Sequence, residues 1–227
     1  MFSDFNIVGV IGPETYDAIV GCPWGSQRIL PGSRSIIVLG TGGSAFVRRF
    51  LEDPSEGEDP LDAYTITRVD RVRDHLRDEG FASAAGYYWE RRQGEYADFV
   101  AIAEAAGLGA RSKLALLIHP EFGPWFGIRA LVFTDKALAP TEVTPLDPFD
   151  PCTGCPAPCE TACHGAAVGI PFDGAACVSQ RRAGVTCQLE CDARRACIIG
   201  REHAYDADVE AFHMAASLRA VSKPTPS

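Results

Sequence analysis

The sequence lacks any apolar run close to the roughly 18 uninterrupted residues that a membrane-spanning helix needs, so a membrane protein is not expected. Its opening MFSDFNIVG has none of the features of a cleavable export leader, which sets the expectation of a cytoplasmic protein. Basic charge is scarce: 21 Lys and Arg face 30 Asp and Glu, for a net charge of −9. Sequence-independent nucleic-acid binding draws its affinity from neutralised phosphates, so nucleic acid is disfavoured as a partner. There are no internal repeats or low-complexity tracts, and no Ser/His/Asp or paired-carboxylate constellation stands out. What is present is the composition of an ordinary globular protein, 46% hydrophobic and 22% charged, together with nine cysteines. One is Cys22; the others all fall between Cys152 and Cys197.

That clustering divides the chain. Residues 1–148 hold most of the periodic apolar segments, enough for one core. The run Thr144 to Pro151 carries three prolines and continues neither a helix nor a central strand, so it reads as a linker. Residues 149–227 have few large aliphatics and need cross-links or metal to hold a shape.

In the first part, Ser35 to Gly40 reads as a buried strand, followed by a glycine turn (Gly40, Gly42, Gly43) and a helix from Ser44 to Leu51. The turn could cradle a phosphate but lacks a dinucleotide fingerprint; a plain strand-to-helix turn is the better reading. Glu52 to Asp59 is expected as a solvated loop. Asp59-Pro60 should then start a helix with Leu61, Tyr64, Val69, Val72 and Leu76 on its apolar face. A further helix is expected over Tyr96 to Ala106. The apolar runs Leu114 to Ile118 and Ile128 to Phe133 read as neighbouring strands joined by an aromatic loop, His119-Pro120-Glu121-Phe122-Gly123-Pro124-Trp125-Phe126-Gly127, of the kind that holds ligands or packs on a core rim. The tail from Ser222 is expected to fray.

Three chemistries compete for the clustered cysteines. Disulfides need an oxidising compartment. Zinc sites usually take two cysteine pairs separated by a longer loop. Here the first four are packed as Cys152-x2-Cys155-x3-Cys159-x3-Cys163, converging thiolates that suit an iron–sulfur cubane. The run departs from the bacterial ferredoxin pattern by one residue before Cys159 and by His164 in place of proline. The looser set Cys177, Cys187, Cys191 and Cys197 supplies the remaining ligands of a two-cluster site. With fourth ligands exchanged, one 4Fe-4S cluster takes Cys152, Cys155, Cys159 and Cys197, the other Cys163, Cys177, Cys187 and Cys191. Ala162, Ala166, Val168, Ile170 and Ile198 are expected to shield them. Cys22 reads as a small buried hydrophobe. His75 is expected on a solvated helix face, His203 and His213 in packing or capping around the last helix, and His164 as a neighbour of Cys163 without a ligand role.

The segment His119 to Arg129 resembles the HPRFGGWFAIR stretch of the cobalamin-processing CblC proteins. Ala63-Tyr64 to Arg68-Val69 and Ala85 to Trp89 resemble that family's AYHLGRV and AAYYY segments in the same order. From Ala103 through Gly107-Leu108-Gly109 to Thr134-Asp135 the chain also resembles epoxyqueuosine reductases and reductive dehalogenases, as does its cysteine order. The resemblance implies an α+β protein, with a nitroreductase-like cobalamin-binding domain over residues 1–148 and a small ferredoxin-like iron–sulfur domain over 149–227. It implies that Tyr87, Tyr88, His119, Phe122, Gly123, Trp125 and Phe126 line a corrin pocket, and that Arg129 matches an arginine associated with glutathione in CblC.

The function so implied is reduction of cobalamin, at cobalt or by removal of an upper ligand, with electrons passed through two 4Fe-4S clusters. A corrinoid would be its small-molecule partner, and a flavodoxin or ferredoxin reductase its electron donor. Two alternatives are a ferredoxin-type electron carrier and a flavin-dependent reductase holding FMN. Where epoxyqueuosine reductases have a carboxylate general acid ahead of their GLG segment, this chain reads Arg91-Arg92-Gln93-Gly94.

Overall fold

The computed structural model describes residues 2–57, 59–141 and 149–222. The prolines of the expected linker from 144 to 148, and the tail beyond Ser222, lie outside the described residues. The strands in chain order are β1 (Ile7–Ile11), β2 (Ser35–Gly42), β3 (Ser83–Tyr87), β4 (Ala110–Arg111), β5 (Leu117–Ile118) and β6 (Phe126–Thr134). The helices are α1 (Pro13–Asp17), α2 (Ser26–Ile29), α3 (Ala45–Glu52), α4 (Pro60–Asp78), α5 (Phe99–Ala105), α6 (Pro158–Thr161), α7 (Gly174–Ala183), α8 (Thr186–Leu189), α9 (Asp192–Arg195) and α10 (Ala207–Ser222). They belong to two compact units, one made of 1–109 with 126–148 and the other of 110–125 with 149–227. The chain thus leaves the first unit for sixteen residues before returning to it, and the greater part of the aromatic loop packs with the cysteine-rich segment. No helix among the described residues is long and apolar enough to cross a membrane.

The first unit is built on an antiparallel sheet ordered β1-β2-β6-β3. Every residue of β2 is buried, which accounts for its unbroken apolar run. β2 continues through Gly42, so Gly40 and Thr41 are strand residues; Gly42 exchanges hydrogen bonds with the Asn6 side chain, and its N–H is spent there at 2.8 Å. Only from Gly43, at φ +69°, does the chain turn into α3. Helix α4 forms for the reasons legible in its sequence. The Asp59 carboxylate accepts from the N–H groups of Leu61 and Asp62, Pro60 occupies the first turn, and Leu61, Tyr64, Val69, Val72 and Leu76 are all buried. Tyr64 meets Phe46 and Phe50 of α3 edge-on, at 5.2 and 5.5 Å between ring centroids.

Two expectations are corrected here. The runs Leu114 to Ile118 and Ile128 to Phe133 are not neighbouring strands: β5 pairs with β4, whereas β6 pairs with β2 and β3. Only Leu117 and Ile118 of the first run are strand, because Leu114 and Ile118 instead enter the small core of the second unit. Cys22 is exposed, in a 3-10 turn over Cys22–Trp24, and accepts from Arg28 Nη1 at 3.1 Å; Trp24 takes the buried place.

One core cluster of the second unit holds Leu114, Ile118, Cys159 and Ala193, with Cys163, Cys191, Cys197, Val168 and Ile199 packed around it, so thiols fill much of this cluster. Trp125, Tyr205 and Val209 of the same unit are also buried. The segment after β5 closes on itself through paired backbone hydrogen bonds between His119 and Gly123. Gly123 and Gly200, both at positive φ, let the backbones at 122–123 and 199–200 approach more closely than any Cβ would permit.

Candidate functional site

The eight clustered cysteines are all free thiols. Their surroundings sort them into two neighbourhoods. Burial pushes the Cys159 thiol pKa up, and the charges of Cys197, Cys152 and Cys155 act on it further; Cys197 in turn feels burial, Cys155 and Cys152. Burial likewise raises Cys177, Cys187 and Cys191. Cys163 acts on Cys177, Cys163 and Cys177 act on Cys187, and Cys177 and Cys187 act on Cys191. The charges acting on Cys159 and Cys197 thus come from the first set, and those acting on Cys177, Cys187 and Cys191 from the second.

Local structure explains how each set is held. In the first, the Asp150 carboxylate accepts from the N–H groups of Cys152 and Thr153, both at 3.0 Å, and from the Thr153 hydroxyl at 2.6 Å, fixing the turn that presents Cys152 and Cys155. Ala157 donates its N–H to Cys155 Sγ and, in a left-handed conformation, precedes α6, which carries Cys159. Lys113 reaches Glu160 of that helix at 2.7 Å. In the second set Ala167 donates to Cys163 Sγ at 3.3 Å. Helices α7 and α8 carry Cys177 and Cys187, and Cys191 precedes α9. N–H groups aimed at sulfur are the usual dressing of a thiolate ligand. His164 contacts Asp192 at 2.6 Å.

The donor set tests which metal group fits. A single zinc ion draws four ligands to one point at about 2.0–2.3 Å. Among the described residues no three His, Cys, Asp or Glu side chains converge in that way. A cubane takes its thiolates at separate irons, so an all-sulfur donor set of eight cysteines fits it better. The expected shielding is corrected in part. Ile170 is 80% exposed and Ile198 is also exposed, because neither faces the small core; of the expected residues Val168 packs on that core, together with Leu114, Ile118 and Ile199.

The residues expected to line a corrin pocket divide between the units. In the second unit, Nδ1 of His119 accepts from the N–H groups of Glu121 and Phe122, and burial holds its imidazole below the usual pKa. Phe122 lies between His119 and His203, with ring centroids 5.2 and 4.5 Å away. Trp125 is 1% exposed, set against Tyr205 and under the Arg194 guanidinium. Its indole N–H has no hydrogen-bond partner among the described residues.

In the first unit, Tyr87 is buried and stacks on Trp89 at 4.7 Å, while Phe126 begins β6. Arg129 is 6% exposed, donates from Nε to the buried Thr41 hydroxyl at 2.8 Å and lies over Phe46. Tyr88 is 43% exposed, but its hydroxyl turns in to donate to Asp62 at 3.1 Å. Sequence reasoning missed Asp62. Burial, aided by the neighbouring Asp59, raises its carboxyl to about 6 against the opposing effects of Tyr88 and Arg129. Burial and the Asp62 charge push the Tyr88 phenol up in turn. An acidic residue on the first turn of a helix is ordinary in sequence, and nothing local signals Tyr88 as its partner.

No protein-family model matches the chain, and no curated protein matches its sequence. Solved structures do match. An epoxyqueuosine reductase with a tRNA-Tyr epoxyqueuosine-modified stem loop superposes with a TM-score of 0.59 at 14% identity, over 91% of this chain and 64% of that one. The epoxyqueuosine reductase of Streptococcus thermophilus gives 0.53 at 13% identity, over 98% and 65%. A reductive dehalogenase described as suggesting a mechanism for B12-dependent dehalogenation gives 0.50 at 16%, over 96% and 34%. The chain therefore shares an α+β fold with these reductases, and it spans just under two thirds of the epoxyqueuosine reductases it matches.

Proposed function

We propose that this protein is an iron–sulfur reductase that binds a corrinoid. Two 4Fe-4S clusters would be held by Cys152, Cys155, Cys159 and Cys197 and by Cys163, Cys177, Cys187 and Cys191. What supports this reading is a set of eight free thiols gathered in one unit, with charges on one another that fall into two sets, in a fold shared with epoxyqueuosine reductases and a reductive dehalogenase. Bound clusters would supply single electrons at low potential. The chain's own part is to bury Cys159 and half-bury the other clustered cysteines, to donate N–H groups to Cys155 and Cys163, and to exclude water with Leu114, Ile118 and Ile199.

For the corrinoid, the first unit offers Tyr88, Asp62 and Arg129, a phenol, a carboxyl and a guanidinium suited to amide side chains. Phe126, half-buried at the start of β6, supplies aromatic surface of that unit, and Tyr87 is buried behind Trp89. In the second unit His119, Phe122 and Gly123 are engaged in their own packing, and Trp125 keeps its indole N–H for an acceptor. The likeness of this aromatic segment to CblC supports cobalt reduction or removal of an upper ligand as the reaction. An electron donor such as a flavodoxin or ferredoxin reductase completes the proposal. FMN has less support, because the Gly42 N–H in the candidate phosphate turn is bound by Asn6.

One neighbour carries a tRNA stem loop, so the fold places no bar on nucleic acid; the net charge of −9 is what argues against it. Anaerobic titration with cob(II)alamin tests the corrinoid reading. A changed corrin absorption spectrum at micromolar protein is expected, and an unchanged spectrum contradicts it.

A further inference from the structure

Helix α10 contributes no cysteine, yet it fastens the second quartet from two sides. From α7, Arg181 donates to the Met214 carbonyl at 2.7 Å and the Ser217 hydroxyl at 2.8 Å of α10, while its Nε donates to the Cys187 carbonyl at 3.3 Å. From α10, Glu210 extends a carboxylate that is 1% exposed. Its Oε1 accepts the backbone N–H of Cys191 at 3.1 Å, and its Oε2 pairs with Arg195 Nη2. Arg195 also reaches Glu190 Oε2 at 3.5 Å.

A carboxylate is costly to bury unless it is paired and hydrogen-bonded. Glu210 meets both conditions, and one of its two partners is the main chain of a proposed cluster ligand. The arrangement commits the Cys191 N–H to a carboxylate, where it cannot donate to a sulfur, and sets a negative charge next to this quartet. Both effects disfavour adding an electron there. Among the described residues, the carboxylates in contact with the first quartet's loop and helix, Asp150 and Glu160, both lie toward solvent.

We infer that Glu210, braced by Arg195, is a positioning residue for Cys191 that holds the second quartet in place and lowers its reduction potential relative to the same site without the charge. This rests on the two-cluster reading above. The glutamine variant separates the two contributions, since its amide oxygen can still accept from Cys191 N–H while the charge is gone.

The test uses the full chain, assembled anaerobically, as wild type, Glu210→Gln and Glu210→Ala, with iron per chain and the midpoint potential of each cluster followed by EPR. Glu210→Gln should keep its iron and move one cluster to a more positive potential, leaving the other where it was. Glu210→Ala should lose about half of the iron. If the wild type carries both clusters and Glu210→Gln moves neither potential, or moves both equally, the inference falls. Should Glu210→Ala fail to fold, the potentials of the glutamine variant still decide. A wild type without iron would instead overturn the reading on which the inference stands.

Discussion

Cys163 follows Cys159 by one helical turn of sequence and packs on the same small core, yet the two thiols act on different cysteines: Cys159 feels Cys152, Cys155 and Cys197, whereas Cys163 acts on Cys177 and Cys187. Helix α6 ends at Thr161 between them, and the chain redirects before Cys163. Replacing either cysteine by serine should therefore damage a different half of the iron content. In Cys159→Ser the cluster on Cys163, Cys177, Cys187 and Cys191 should persist, and in Cys163→Ser the other should. EPR of the reduced variants reads which signal survives; loss of the same signal in both would contradict the assignment.

Asp62 makes stability depend on pH in an unusual sense. Its folded-state pKa of about 6 lies above the ordinary 3.8, so the folded chain holds the proton more tightly than the unfolded one. That contribution is full below pH 3.8 and is lost as pH rises through about 6. Asp62→Asn removes it. At pH 7 the variant should gain on the order of 1 kcal/mol relative to its own difference from wild type at pH 4, discounted for partial exposure. Urea melts across that range check this, and parallel curves for the two proteins would contradict it.

Arg194 ties the aromatic segment to α9. Its guanidinium donates to the Pro124 carbonyl from Nε and Nη2 and lies over both Trp125 and Tyr205, at 4.6 Å from each centroid. Arg194→Ala should cost about 2 kcal/mol, from lost charge-assisted hydrogen bonds and cation–π contact. Arg194→Lys should recover less than half of this, because an ammonium cannot reproduce a planar fork that donates twice to one carbonyl while lying over two rings. Equilibrium unfolding of the two variants against wild type measures both.

What was legible in the sequence was what local pattern governs. Helix α4 shows its cap at Asp59 and its buried face at Leu61, Tyr64, Val69, Val72 and Leu76, and β2 shows its burial as an unbroken apolar run. The second unit was harder, because Leu114 to Ile118 has the composition of a strand but packs on cysteines far along the chain. Cys22 misled for a related reason: beside Pro and Trp it looks apolar, but in the 3-10 turn the indole goes inward and the thiol outward. Asp62 with Tyr88, and Glu210 with Cys191, are long-range pairs of common residues, invisible without the fold that joins them.

The central claim is that the eight clustered cysteines hold two clusters. Anaerobic purification followed by iron and acid-labile sulfide analysis tests it most directly. About eight irons and eight sulfides per chain are expected. About four would contradict the two-cluster assignment, and zinc without sulfide would contradict the iron–sulfur reading altogether.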